Sequence, residues 1–458
     1  MQNKIYQIRP YARLITMLGE QLIKNEVIAL CELIKNSYDA DASWVKVSFC
    51  NFNNDYSINE KSKIIIQDNG IGMNQQIIEK SWLNPATPTK LKQKQAQKGK
   101  TPKGRILQGE KGIGRFAIFK LGATIKITTK TEKDNYENLV LYDFSKYDND
   151  FMQENGVEKE LYIDDLEVQY EQNEIINFSA NNEIEFGINN IPMDVHGTII
   201  EISNLKSNWS ENKFKTLQTD IGKMLPIFNP TEKKDFDVKF YLNNKLMSYN
   251  DEYIEKLDSL LESKPVFKVR NGYYDEQNQT ISFDINNSHK KLSFADSEIN
   301  ALKYFKDNLS KEKKTTCGDF SFEFYIFDFN ASENTKYYLS NEEKYKIKQH
   351  RVYLYRDGVR VLPYGDSDDD WLHIDTLRGV TRAAEFLSND QVVGCIYITN
   401  EKNKNLKDKT NREGLIDDGK ALKEFISIIQ CILRYIRAYD FQMYLINKDK
   451  IQEAKLIK

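Results

Sequence analysis

The sequence predicts an α+β protein of more than one domain, and three observations carry that expectation. Apolar residues recur at helical spacing near the N-terminus. Short runs that alternate or are wholly apolar punctuate the middle. The stretch from Gly419 to about Lys455 returns to helical character. A chain of 458 residues is long enough for about two to four domains with sizeable cores. Its 40% hydrophobic and 12% aromatic content is that of a folded chain, not a disordered one.

Taken in order, Leu18, Leu22, Ile23, Val27, Leu30, Leu33 and Ile34 predict a helix from Leu14 to Tyr38. Trp44–Phe49 alternates as a strand, and Lys63–Gln67 reads as a short buried strand ending at an Asp-Asn-Gly turn. A helix over about 74–83 follows. Residues 84–108 are rich in Lys, Gln, Pro and Thr and are expected to form a mobile loop. A glycine-rich segment then opens a helix to Leu121, before strands at 124–129, 139–144 and 198–202. The polar stretch 205–212 precedes a helix at 213–225 and marks a domain boundary, with domains at 1–206, 207–418 and 419–458. Beyond it, strands are expected at 237–242 and 319–327, and Asp357-Gly358 predicts a hairpin over 352–361.

Composition narrows the function. A net charge of −3 gives no global argument for a nucleic-acid partner, although a local patch remains open. The cysteines at 31, 50, 317, 395 and 431 form no CxxC pair, so neither a zinc site nor a disulfide framework is indicated. The start of the chain lacks a signal-peptide core and no apolar run reaches membrane-spanning length. The expectation is a cytoplasmic protein with no membrane partner.

Three ordered segments carry chemistry. In the first, Glu32 and Asn36 are four apart on the expected helix and Asp39 lies three further on, so all three share a face. Glu32 is placed to take a proton from water, and Asn36 offers a neutral oxygen to a hard cation such as Mg²⁺. In the second, Asp68 ends a buried-type strand, where an unpaired carboxylate is costly and an adenine amino group would satisfy it. Gly70, Gly72 and Met73 complete that turn, and the glycines admit a close approach of backbone to a flat base. In the third, Gly109, Lys111, Gly112, Ile113, Gly114 and Arg115 stand at a helix start, where backbone N–H groups favour phosphate. Glu110 occupies the place where a Walker A loop requires lysine, and no kinase catalytic-loop motif follows.

With these segments in place, the chain resembles the GHKL ATPases: gyrase, heat-shock chaperone, histidine kinase and MutL type. The resemblance covers about Arg9 to Ser203. It implies a Bergerat-type ATPase domain, a mixed β-sheet backed by helices, with ATP under a lid at about 84–108. It implies Glu32 as the water-activating base, Asn36 as the Mg²⁺ ligand and Asp68 as the adenine reader. Asp39, Gly70, Gly72, Met73, Gly109, Lys111, Gly112, Ile113, Gly114 and Arg115 would line the nucleotide. Thr198, in Gly197-Thr198, is similar to the threonine that helps hold adenine through water.

The segments 355–371, 388–394 and 411–415 resemble the α/β transducer domain of MORC-like bacterial members, with C-terminal helices after it. In that group a basic residue reaches the terminal phosphate, with Arg412 the first candidate and Lys409 the second. The implied activity is slow ATP hydrolysis that gates a dimeric clamp or switch. That switch would control an effector partner in a bacterial, anti-phage defence or DNA-related system. Alternatives are direct closure on duplex DNA, with the lid's Lys90, Lys92, Lys94, Lys98, Lys100, Lys103 and Arg105 meeting phosphates, and a heat-shock-like chaperone. No histidine lies on a dimerising helix beside an acid, which disfavours histidine kinase activity.

Overall fold

A computed structural model describes residues 8–23, 25–84, 87, 100–105, 107, 117–224, 236–247, 249–300, 302, 309, 314–380, 385–409, 414–417 and 419–456. The chain divides into two compact units, Met1–Lys223 with Pro230–Glu252, and Met224–Asn229 with Tyr253–Lys458.

In the first unit, helices α1 (Arg13–Leu22) and α2 (Glu26–Asp39) replace the single helix expected over 14–38. The break falls at Asn25, whose extended backbone starts α2 and whose side chain accepts the Ile28 N–H at 2.9 Å. A cap of this kind outweighs continuous apolar periodicity because it satisfies an otherwise orphaned donor. Val27, Leu30, Leu33 and Ile34 turn the buried face of α2 inward.

The strands of the unit are β1 (Trp44–Cys50), β2 (Lys63–Asp68), β3 (Gly122–Lys130), β4 (Glu137–Asp143), β5 (Gln153–Glu154), β6 (Val157–Glu158), β7 (Gln169–Asn173), β8 (Glu183–Phe186), β9 (Asn189–Pro192), β10 (Gly197–Leu205), β11 (Asp237–Leu242) and β12 (Lys245–Leu246). Eight of them form one sheet in the order β12-β11-β1-β2-β10-β3-β4-β7. Only the β1–β11 pair is parallel, so the sheet is mixed. The short helices α3 (Gln75–Ile77), continued by a π-turn over Ile78–Trp82, and α4 (Ala117–Leu121) follow the sequence expectation in place. The polar link after β10 leads into α5 (Glu211–Gly222), and β11 then returns to the same sheet beside β1.

In the second unit, which takes up the chain from Tyr253 within α6 (Tyr249–Ser263), the meander β13 (Phe267–Asp275), β14 (Thr280–Ile285) and β15 (Ser288–Ser293) follows. After α7 (Ser297–Asn300) come β16 (Phe320–Ile326), α8 (Asn341–Ile347), β17 (Val352–Arg356), β18 (Val359–Arg360), α9 (Ile374–Val380) and β19 (Val392–Ile398). These strands form a seven-stranded sheet in the order β15-β14-β13-β16-β19-β17-β18. The expected hairpin at 352–361 is present, and Asp357 and Gly358 both take positive φ (50° and 83°) as its two-residue turn demands. Helix α10 (Ala421–Ile436) runs through a π-turn (Arg437–Phe441) into α11 (Gln442–Leu456). Phe425, Ile428 and Ile432 of α10 pack with Phe320, Phe322 and Phe324 in the main core of this unit. The five cysteines form no disulfide. Among the described residues no helix is long and apolar enough to cross a membrane.

Candidate nucleotide site

The C-terminal half of α2, the end of β2 and the start of β10 converge on one carboxylate. Register places Asp68 opposite both Val45 of β1 and Thr198 of β10, in the middle of the sheet. Its side chain is buried. Ser37 of α2 donates to Asp68 Oδ2 at 2.7 Å, and the Gly70 N–H donates to Oδ1 at 2.8 Å. Burial pushes the Asp68 carboxyl up to about 6, against the opposing pull of Ser37, the Gly70 and Thr198 backbones and His196. Desolvation of the charged form is therefore the dominant influence.

The turn after Asp68 is held from all sides. The Ile71 N–H donates to Ala40 O at 2.8 Å, fixing the turn to the end of α2. Met73 is gripped through both backbone groups: its N–H donates to Thr129 Oγ1 at 2.9 Å, and Asn138 Nδ2 donates to its carbonyl at 3.1 Å. Thr129 Oγ1 also donates to Gly197 O at 2.9 Å and lies 3.0 Å from Thr198 Oγ1. His196 Nδ1 lies 2.6 Å from Gly70 O, and since a carbonyl only accepts, that nitrogen carries the proton. Sequence reasoning overlooked Ser37, Thr129, Asn138 and His196. Their signal is tertiary: each stands next to the turn through pairing of elements remote in sequence.

The two glycines of the turn differ from the expectation of a surface opened to a flat base. A Cβ on Gly72, whose φ is +67°, would lie 2.0 Å from the Lys130 carbonyl oxygen. A Cβ on Gly70 would lie 2.8 Å from Ala40 Cβ and from its carbonyl oxygen. The close approach that both glycines permit is thus to the protein's own backbone.

On α2, Glu32 and Asn36 stand one turn apart, and Glu32 is buried with Lys35 Nζ 3.3 Å from its Oε1. Asn36 is half-buried and Asp39 is buried at the C-terminal turn. Ser37, adjacent to Asn36, ties this helix to Asp68. Among the described residues no group of three or more His, Cys, Asp or Glu side chains is arranged to hold a metal. The donors fit a magnesium ion carried largely by phosphate and water oxygens, with Asn36 as a protein oxygen, since that ion keeps most of its hydration.

Gly109, Lys111, Gly112, Ile113, Gly114, Arg115 and Arg412 lie outside the described residues. So do most of the expected lid, including Lys90, Lys92, Lys94 and Lys98. Within it, the described stretch 100–105 is pinned rather than loose. Asp41 accepts from the Thr101 hydroxyl and, at 3.1 Å, from the Lys103 N–H, while Lys103 Nζ donates to Asp41 O at 2.9 Å. Arg105 is buried, donates to Ala42 O at 2.6 Å and lies 4.7 Å from the Tyr38 ring. Lys103 and Arg105 are therefore committed within the unit, contrary to their expected availability for DNA phosphates. Lys409 belongs to the second unit, where it is exposed and its N–H donates to Gly414 O at 2.9 Å. The base of that loop is held by Arg356 Nε, 3.1 Å from Asp408 Oδ1, and by the Leu415 N–H, 2.8 Å from Tyr364 Oη.

Residues 25–171 match the family model described as histidine kinase-, DNA gyrase B-, and HSP90-like ATPase. One similar curated protein is the chaperone protein HtpG of Wigglesworthia glossinidia brevipalpis, 26% identical over 264 residues, or 53% of this chain and 40% of that protein. Another is the "Putative type II restriction enzyme HgiDII" of Herpetosiphon aurantiacus, 25% identical over 261 residues, or 57% of this chain and 35% of that protein. The chain thus spans well under two thirds of the length of either relative. The family match includes Glu32, Asn36, Asp68 and the glycine-rich segment, and it supports the GHKL superfamily and ATP binding.

Proposed function

We propose that the first unit binds ATP with Mg²⁺ and hydrolyses it slowly, and that the nucleotide state operates a homodimeric clamp or switch. The observation that carries this reading is Asp68: a buried carboxylate, fixed by Ser37 and Gly70, inside the segment that matches the ATPase family model. An adenine amino group would donate to Asp68 while Thr198, beside it in register, holds the ring through water. Gly70, Gly72 and Met73 shape the turn beneath the base. Asp39, Gly109, Lys111, Gly112, Ile113, Gly114 and Arg115 would complete the enclosure of the nucleotide.

Glu32 takes the proton from the attacking water. Asn36 offers its carbonyl oxygen to Mg²⁺, which when bound neutralises charge on the phosphates. Backbone N–H groups of the glycine-rich segment stabilise the charge that develops at the phosphoryl group. A cation from a MORC-like transducer, Arg412 or Lys409, is assigned to the terminal phosphate. The functional division of the chain is then an ATPase domain with its lid at 84–108, extended past the expected boundary at 206 by α5 and the β11–β12 pair, a transducer that follows it to 418, and helices at 419–458. Conformational steps set the pace of turnover.

The partner is an effector protein in a cytoplasmic defence or DNA-related system, and the relative named as a restriction enzyme favours that direction. A chaperone role is the second reading, favoured by the relative named HtpG. Direct closure on DNA is the weaker alternative, because Lys103 and Arg105 are already bonded within the unit.

The test is Glu32→Ala. It should retain ATP by calorimetry and release phosphate at least about 100-fold more slowly than wild type. Unchanged phosphate release removes Glu32 as the base. Pull-down with that variant plus ATP, against wild type plus ADP, separates effector control from chaperoning: one retained partner marks the first and a broad client set the second.

A further inference from the structure

We propose that the first unit holds a second ligand site, which takes a small aromatic anion, in a pocket walled by Phe119, Lys120, Phe144, Tyr147, Phe151 and Lys206. The pocket measures about 220 Å³ and shares none of its lining with the Asp68 cluster. A cavity of roughly 150 Å³ admits a benzene-sized ring, so this one has room for a ring and a small substituent.

Its wall is aromatic and ordered. Phe119 of α4 stacks on Phe144 with ring centroids 5.5 Å apart, and Phe144 meets Phe151 edge-on at 5.5 Å. Tyr147 lies 5.6 Å from Phe151 and closes the cage. Phe151 is held at a φ of +53°, a conformation that bulky residues rarely adopt. Its N–H donates to Asp148 O at 3.1 Å, which fixes the turn and aims the ring into the wall. Backbone held in a costly region beside a cavity is a recurrent mark of a ligand clamp.

The charge of the pocket selects the ligand. Asp148 is the only acid of the lining, and its Oδ1 already accepts the Met152 and Gln153 N–H groups, each at 2.7 Å. Lys120 is half-buried in the wall and, among the described residues, has no carboxylate partner. An ammonium group left uncompensated beside stacked rings is completed by a ligand that brings both a ring and a negative charge.

The site stands independently of the nucleotide reading, and so does its test. Saturation-transfer NMR on the full chain, without nucleotide, would compare 4-hydroxyphenylacetate with its neutral amide. The acid should bind about tenfold more tightly, as a charge-assisted contact predicts. Lys120→Gln should erase that preference while leaving the amide unchanged, and Phe119→Ala should weaken both probes. Failure of both probes to bind overturns the proposal, as does a preference for the acid that survives Lys120→Gln.

Discussion

The two sheets of this chain bury polar groups in opposite ways. In the first unit, Asp68 of β2, Asn69 of the turn that follows it, Thr129 of β3 and Asn138 of β4 are buried around that turn. In the second, the centre of the sheet is aromatic, with Phe320, Phe322 and Phe324 along β16. Among its buried charges, Arg351, Arg356 and Arg360 sit on and beside β17 and β18 and meet Asp390, Asp408 and Asp366. Buried polar groups are costly unless satisfied. The second unit uses its charges to anchor loops. Burial raises a carboxylate to about 6 in each unit, Asp68 in the first and Asp369 in the second, but the first gathers hydroxyl, amide and backbone donors around one turn, an arrangement suited to a polar ligand.

The largest effect should come from breaking the turn itself. Gly72→Ala places a methyl group against the Lys130 carbonyl, at a φ that alanine disfavours. Backbone cannot yield as a side-chain tip can, so a loss of roughly 3 kcal/mol is expected from strain and overpacking together. Chemical denaturation should show it, with ATP affinity falling in parallel. The matching break in the second unit is Arg356→Ala, which removes donors to Leu406 O at 2.6 Å and Asn400 Oδ1 at 3.2 Å as well as the pair with Asp408. Asp408 is partly exposed, so the stranded charge is screened and the cost should be about 2–3 kcal/mol. ADP affinity of the first unit should not move with it, because the loop that Arg356 anchors is assigned to the terminal phosphate alone.

Asp68→Asn sharpens the contrast because its two readouts point in opposite directions. Burial raises the folded carboxyl to about 6 from its ordinary value of about 3.8, so the native state binds more protons than the unfolded state between those limits. Stability should therefore fall as pH rises from about 4 to about 6, leaving a burden of roughly 2–3 kcal/mol at neutral pH. The asparagine variant removes that slope and should melt higher than wild type at pH 7 while binding ATP more weakly. A melting temperature that tracks wild type at every pH would place the Asp68 charge elsewhere than in a desolvated pocket.

The contrast also explains what the sequence disclosed. Strands with apolar alternation, such as β1 and β10, were legible, as were the apolar run of β2 and the Asp357-Gly358 turn, because local chemistry decides them. Ser288–Ser293 forms the edge strand β15 although its residues are mostly polar. Pairing with β14 decides that strand, and no hydrophobic pattern announces it. The candidate site shows in the sequence only as separate motifs. Asp68 and Thr198 could be named, but their adjacency in register could not, and the side chains that grip Met73 carry no local signature.

Thr129 gives the smallest and most selective break. Its hydroxyl accepts from the Met73 N–H and donates to Gly197 O, so it joins the turn after β2 to the entry of β10. Thr129→Val keeps the volume and the β-branched shape that suits a strand, but leaves a half-buried N–H and a buried carbonyl without that partner. About 1–2 kcal/mol of stability should be lost. Because the strands still pair, the loss should concentrate in the turn: hydrogen exchange at Met73 should accelerate while Ile64 and Ile66 keep their protection. ATP affinity should weaken severalfold, whereas Thr128→Val, one residue earlier on the opposite face of β3, should leave it unchanged. Equal effects from the two substitutions would mean that Thr129 only stabilises the sheet, and that the turn needs no side chain to hold its shape.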